Sequence, residues 1–143
     1  MAEADRSRSL MFAGFLLFLV GLITGLLLPV LPSPRLGQGA HITAVMNGMF
    51  LVLLGLAWER LRLGVRAASW VRGLVLYGAW ANWGFSLLAS ILGTGKLTPL
   101  ASGGQIGEPW KEAVVGAGQV TLAIAMVTSL AIIVWSLRKP AAA

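Results

Sequence analysis

Five polar side chains stand inside or at the edges of long apolar runs: His41, Asn47, Asn82, Glu112 and Gln119. A polar group in lipid is costly, so each needs a partner or a purpose. Glu112 and Gln119 are seven residues apart. On a helix that spacing brings them to one face, with the amide about 10 Å below the carboxylate. Such a pair looks like a polar track leading inward. A partly desolvated glutamate would have a raised pKa and could donate a proton near neutral pH, so Glu112 is the first candidate for acid catalysis. The plainer alternative is helix-start chemistry. In Glu108-Pro109-Trp110-Lys111-Glu112 a proline falls in the first turn and the acids sit at the positive end of the helix dipole.

His41 is the single histidine, and imidazole titrates near neutrality without help. At the outer edge of its run, a solvated histidine is the simpler reading. Asn47 lies about 9 Å deeper and shares a face with Thr43 at i,i+4. Its amide must point into the protein, where a neighbouring helix could satisfy it. Asn82 falls near the middle of its run, on a narrow stripe with Gly78 and Ser86. Trp80 and Trp83 flank it, far from the run ends where tryptophans usually anchor at the membrane surface. They are either core packing or the wall of a pocket for a flat aromatic ligand. The chain has no cysteine, which excludes disulfides, thiolate catalysis and thiolate metal sites. One histidine also excludes a multi-imidazole site within one chain. A metal held by His41 and Glu112, or shared between subunits, stays open. No phosphate-binding loop, nucleophile elbow, zinc-protease helix or dinucleotide fingerprint is present.

The runs that carry these residues are Leu10–Leu31, His41–Trp58, Gly73–Leu92 and Ala113–Trp135. About 20 apolar residues of helix cross the roughly 30 Å hydrocarbon core of a bilayer. With 57% hydrophobic and 11% charged residues and a mean hydropathy of +0.83, the chain lies far from the soluble average of about 25% charged. The expected fold is an all-α membrane protein, a four-transmembrane-helix bundle forming one domain over residues 1–143. The first run is too long for a signal-peptide core and is expected to be retained.

A net charge of +6 invites a nucleic-acid reading, but no soluble basic surface exists to carry it. Its distribution instead reads as topology. Arg6, Arg8, Arg60, Arg62, Arg66, Arg72, Arg138 and Lys139 fall on one side, and Arg35, Lys96 and Lys111 on the other. The positive-inside rule places both termini in the cytoplasm of a multi-pass inner-membrane protein. Pro32-Ser33-Pro34-Arg35-Leu36-Gly37-Gln38-Gly39 reads as a turn-rich outer loop that does not continue a helix. Gly21 and Gly25, with Gly14 on the same stripe, favour close helix packing. Four thin helices enclose little volume, so a homo-oligomer is expected.

The stretch from Leu31-Pro32-Ser33-Pro34 through His41, Val45-Met46-Asn47-Gly48-Met49-Phe50, Tyr77-Gly78-Ala79-Trp80-Ala81-Asn82-Trp83, a Gly-rich loop and Trp110-Lys111-Glu112-Ala113 resembles, in that order, the bacterial hydroxylaminobenzene mutases. The resemblance covers nearly the whole chain. It implies an isomerase that converts N-hydroxylaminobenzene to 2-aminophenol in nitroaromatic degradation, without an added redox cofactor. On that reading Glu112 protonates the departing oxygen, and His41 removes the ring proton or acts as a second acid. Asn47, Asn82 and Gln119 orient the NHOH group, and Trp80, Trp83 and Trp110 hold the ring and stabilise cation-like charge on it. No cofactor is required, and the partners are a small aromatic substrate and the bilayer. The rival is a non-enzymatic four-helix transporter or structural subunit. Proton-coupled exporters of this size carry a carboxylate in the first span, and Leu10–Leu31 has none.

Overall fold

The computed structural model describes residues 3–138. It is all-helical: α1 (Glu3–Leu26), α2 (Pro34–Ala57), α3 (Val65–Leu92), a single-turn α4 (Pro99–Ser102) and α5 (Pro109–Leu137). Four of these are long and apolar enough to cross a membrane. Lys139, counted above with the inner charges, lies outside the described residues.

The helices are longer than the apolar runs at five ends and shorter at two. α1 stops at Leu26 because Pro29, lacking an N–H, follows in a short 3₁₀ turn, Leu28–Val30. α2 begins at Pro34, so most of the expected outer loop is helix and His41 lies two turns inside it. Pro34 terminates nothing: at the first helical position its missing N–H has no partner to lose and its fixed φ suits the helix. Gly37 is tolerated in that first turn because packing needs it. A Cβ there would lie 2.5 Å from Leu31 Cδ1 and 3.2 Å from Ser90 Oγ. α3 begins at Val65, two turns before Gly73, which places Arg66 and Arg72 on a helix and not in a loop. It ends at Gly93, whose φ of +67° only glycine adopts freely, with the Thr94 N–H returning to the Ala89 carbonyl at 3.0 Å. α5 starts at Pro109 as the sequence indicates.

Packing runs α1 on α2, α2 on α3 and α3 on α5. α5 rests principally on α3, and a cleft opens between α2 and α5. The α1–α2 seam is the tightest. Cβ atoms added at Gly14, Gly21 and Gly48 would come within 2.7–2.8 Å of the facing helix. The core holds Leu10, Leu17, Leu51, Trp58, Val71 and Val75, all nearly sealed from the surface, and Ile133 is the contribution of α5. At the end carrying the chain's N-terminus, Ser7 Oγ donates to the Gly55 carbonyl (2.7 Å) and Arg72 Nε to Ser9 Oγ (2.9 Å). At the other end Ser90 Oγ donates to the Ser33 carbonyl (2.7 Å), Ser33 Oγ lies 3.2 Å from Gln105 Oε1, and Arg35 Nη2 donates to the Leu100 carbonyl (3.1 Å). The long outer loop is thereby folded down onto α2 and α3.

Candidate functional site

The cleft between α2 and α5 has α3 as its floor and the outer loop as its roof, with a volume of ≈570 Å³. Thr43 of α2, Asn82 and Ser86 of α3 and Gln119 of α5 bring polar groups into it. Leu36, Leu122 and Val120 supply much of the apolar wall, and Leu97, Thr98 and Ala101 close the top. The stripe expected on α3 accounts for this side of the site: Asn82 and Ser86 line the cleft, and Gly78, one turn away, receives Met126 of α5. Among the described residues the Asn82 and Gln119 amides make no hydrogen bond within the protein, so both remain available to a ligand. A small aromatic molecule fits a space of this size and polarity.

Asn47 lies one turn below Thr43 on α2. Its Nδ2 is buried and has no hydrogen-bond partner among the described residues. A buried amide donor left unpaired costs about 1–3 kcal/mol; Asn47 itself lines none of the described cavities.

His41 is half-buried against α1, where its Nδ1 is 2.8 Å from the Gly21 carbonyl oxygen. A carbonyl only accepts, so Nδ1 carries the proton and the neutral ring leaves Nε2 with a free lone pair. The ring fits there because residue 25 is glycine: a Cβ would stand 2.8 Å from Nδ1 and 3.0 Å from Cε1. The Gly21–Gly25 pair thus does more than close the α1–α2 seam. One glycine supplies the acceptor and the other the space that orient the imidazole.

Glu112 does not sit where a track toward Gln119 requires. It lines a separate outer cavity of ≈570 Å³ with Lys96, Leu97, Ile106, Gly107 and Pro109, and Leu97 borders both cavities. In the first turn of α5, ahead of the apolar stretch 113–135, its carboxylate accepts three backbone N–H groups. Oε1 takes those of Gly107 (2.7 Å) and Gly95 (3.0 Å), and Oε2 that of Lys96 (3.2 Å). Desolvation acts on this carboxyl in the opposite sense, and the three donors outweigh it, so the arrangement favours the ionised carboxylate over the neutral acid. His41 lines none of the described cavities: its ring faces α1, on the side of α2 away from Thr43, so the structure brings it together neither with the cleft residues nor with Glu112.

The tryptophans are placed apart from the cleft. Trp80 and Trp83 meet edge to face, centroids 5.9 Å apart, and both pack on the hydrophobic core. Trp83 Nε1 donates to Thr24 Oγ1 at 3.1 Å, tying α3 to α1. Trp110 is 58% exposed on the outer surface. Its indole N–H donates to Glu108 Oε2 (2.9 Å), and Lys111 pairs with Glu108 Oε1 at 2.6 Å. The hydrogen bond from Lys111, then that from Trp110, hold the Glu108 carboxyl below its ordinary range. Glu108 is thus the helix-start residue the sequence suggests. The roof residues Leu97, Thr98 and Ala101 carry no sequence signal, since nothing in a Gly- and Pro-containing loop tells which side chains turn back toward the helices.

The fold is an all-helical domain with four candidate membrane-spanning helices and a polar cleft under the outer loop, and sequence comparisons define the class. The chain belongs to the styrene oxide isomerase family, whose model matches residues 6–138. It is 40% identical over 137 residues to "Hydroxylaminobenzene mutase HabB" of Ectopseudomonas oleovorans, covering 95% of this chain and 84% of that protein. It is 42% identical over 104 residues to "Hydroxylaminobenzene mutase HabA" of the same organism, covering 72% of this chain and 77% of that protein. No solved structure gives a significant match. The protein is an enzyme of the isomerase type, and the non-enzymatic transporter is not favoured.

Proposed function

We propose that the chain is a hydroxylaminobenzene mutase, isomerising N-hydroxylaminoarenes to 2-aminophenols, with the α2–α3–α5 cleft as its substrate site. The observation that carries this is the 40% identity extending over 95% of the chain. The cleft supports it: Asn82 and Gln119 offer unpaired amides for the NHOH group, and the ring rests against Leu36, Val120 and Leu122. The reaction takes one proton and returns one. A proton is delivered to the hydroxyl oxygen, the N–O bond breaks with its electron pair leaving on that oxygen as water, and positive charge spreads over the nitrogen and ring. Water then bonds to the ortho carbon, and a proton is lost as the aromatic ring re-forms. A walled site limits capture of the cation by bulk water.

His41 is the group we assign to proton transfer, since Nδ1–H is committed to Gly21 and Nε2 is free; its ring faces α1 and lines none of the described cavities, so the proton passes to the cleft through intervening water. Asn47, with its unsatisfied amide, orients the polar end. Trp80 and Trp83 contribute by fixing α3, and Trp110 belongs to the outer surface. No cofactor is needed for this sequence of steps. The same Nε2 is the nitrogen a metal would take, because a ligating histidine is commonly oriented by a carbonyl on its other nitrogen. Metal analysis of the purified protein separates the two schemes.

Glu112 acts as an anchor of the outer loop in this reading, and Glu112→Gln separates anchor from acid. The amide oxygen can still accept from Gly95 and Gly107, while its NH₂ meets the Lys96 N–H donor to donor. Loss of a general acid would lower kcat about 10²–10⁴-fold. The anchor role instead gives turnover within about tenfold of wild type, below that range, and faster proteolysis within 93–108.

Both termini are assigned to the cytoplasmic side of a bacterial inner membrane, on the distribution of Lys and Arg. The side-on opening of the cleft supports a homo-oligomer in which a second copy covers it. The decisive assay is incubation of purified protein with hydroxylaminobenzene and chromatography of the products. Formation of 2-aminophenol is expected, and absence of any aminophenol refutes the assignment. The family description favours one other reading, isomerisation of an aryl epoxide. Parallel incubation with styrene oxide tests it.

A further inference from the structure

Seven arginines, Arg6, Arg8, Arg60, Arg62, Arg66, Arg72 and Arg138, fall toward the inner end of the helices by sequence position, against three carboxylates, Glu3, Asp5 and Glu59. For most of them the positive-inside rule is sufficient explanation. Arg6 is different. It is only 4% exposed, and its buried Nε has no hydrogen-bond partner among the described residues. Arginine is rarely sealed away unless paired, because an uncompensated charge in a low-dielectric setting is costly. Arg6 Nη2 reaches across from α1 to Ser69 Oγ on α3 (3.2 Å), and Arg72 Nε returns from α3 to Ser9 Oγ on α1 (2.9 Å). Both serine hydroxyls donate their own protons to helix carbonyls, Ser69 to Val65 and Ser9 to Arg6. These two guanidinium–hydroxyl bonds hold Arg6 and Arg72 in place through neutral partners.

Ser69 lies between Arg66 and Arg72 around α3, with Arg66 toward the groove and Arg72 toward α1. Arg66, Ser69 and Trp70 line a groove of ≈450 Å³, so the Arg6 guanidinium meets the groove wall at Ser69. Trp70 is 71% exposed beside it, as an indole at the membrane surface would be. The chemistry that matches is an oxyanion with an apolar body. Phosphate oxygens accept from guanidinium forks in two-point contacts, and acyl chains can lie along the apolar outer faces of α1 and α3.

We propose that the Arg6–Arg66–Arg72 cluster at the inner end of α1 and α3 is a binding site for the phosphate of an anionic phospholipid, with Trp70 at its rim. Basic pockets between membrane helices hold such headgroups. The site is separate from the α2–α5 cleft and does not depend on the reaction assigned to it.

Native mass spectrometry of the detergent-solubilised full chain, titrated with dioleoyl phosphatidylglycerol, dioleoyl phosphatidylcholine or inorganic phosphate, tests this. Phosphatidylglycerol adducts are expected to survive collisional activation that strips phosphatidylcholine, whose choline is repelled by the cluster. Arg66→Gln with Arg72→Gln is expected to weaken phosphatidylglycerol binding about thirtyfold and leave phosphatidylcholine unchanged. Circular dichroism first establishes that the double variant folds. Where it does not, Arg66→Gln alone is used, which removes no hydrogen bond between the described helices. Equal retention of the two lipids, or undiminished phosphatidylglycerol binding in the variant, overturns the proposal. Displacement of phosphatidylglycerol by millimolar inorganic phosphate overturns the lipid assignment in favour of a soluble anion.

Discussion

His41→Ala is expected to lower kcat for hydroxylaminobenzene by about 10²–10⁴-fold, the range over which general acid–base groups act. No other imidazole exists in the chain to substitute for it. The expectation rests on tautomer as much as on residue type. Because the Gly21 carbonyl at 2.8 Å accepts the Nδ1 proton, Nε2 is the free nitrogen of the neutral ring. The stability cost should be small by comparison. One hydrogen bond to a backbone carbonyl contributes about 0.5–1.5 kcal/mol net, and the vacated space lies beside Gly25, at the half-buried edge of the α1–α2 seam. Turnover and thermal unfolding in the same detergent preparation distinguish the two effects. A variant that melts like wild type and still turns over within threefold would remove His41 from the mechanism.

Gly48→Leu is expected to prevent α1 and α2 from pairing and to yield little folded protein. A Cβ at residue 48 would stand 2.7 Å from the Phe18 backbone nitrogen and 2.8 Å from the Gly14 carbonyl oxygen. Both obstacles are main-chain atoms of a helix, so no rotamer change relieves them and the whole helix must retreat. Over-packing by even a few methylenes costs about 1–3 kcal/mol, and here the seam carries the largest helix–helix contact of the molecule. Gly84→Leu is the matched control, since a Cβ there meets nothing within 4 Å. Size-exclusion profiles and unfolding temperatures in detergent should show collapse for the first and near-wild-type behaviour for the second. Equal behaviour of the two variants would mean that the seam is looser than drawn. Because His41 rides on this same seam, Gly48→Ala should also reduce activity, by shifting α2 relative to Gly21 and Gly25.

The positions of these groups were legible in the sequence to different depths. The four spanning helices follow from the apolar runs, because burial in lipid demands length and hydropathy, and both are local properties. The stripe of Gly78, Asn82 and Ser86 follows from helical periodicity alone. The start of α2 did not, since the two prolines and two glycines from Pro32 to Gly39 carry the same local signal whether they form a loop or the first turns of a helix. In the fold the stretch from Pro34 is helix, packed so closely that a Cβ at residue 37 would meet Leu31 and Ser90. Glu112 shows the same division. Its spacing from Gln119 correctly puts both on α5, yet the loop bends back so that three N–H groups from residues 95, 96 and 107 converge on its carboxylate.

The sequence by itself determined what the chain is made to dissolve in, where its helices run, and which few side chains are too polar to be there without a reason. Only the tertiary structure decided which of them share a space. Thr43, Asn82, Ser86 and Gln119 meet in one cleft because α5 packs on α3 and leaves α2 free on that side, while Leu97 sets Glu112 apart from them. Periodicity assigns a residue to a face of its own helix. Which neighbour that face meets depends on close approach between helices, and here that is set by glycines whose only signal is a missing Cβ.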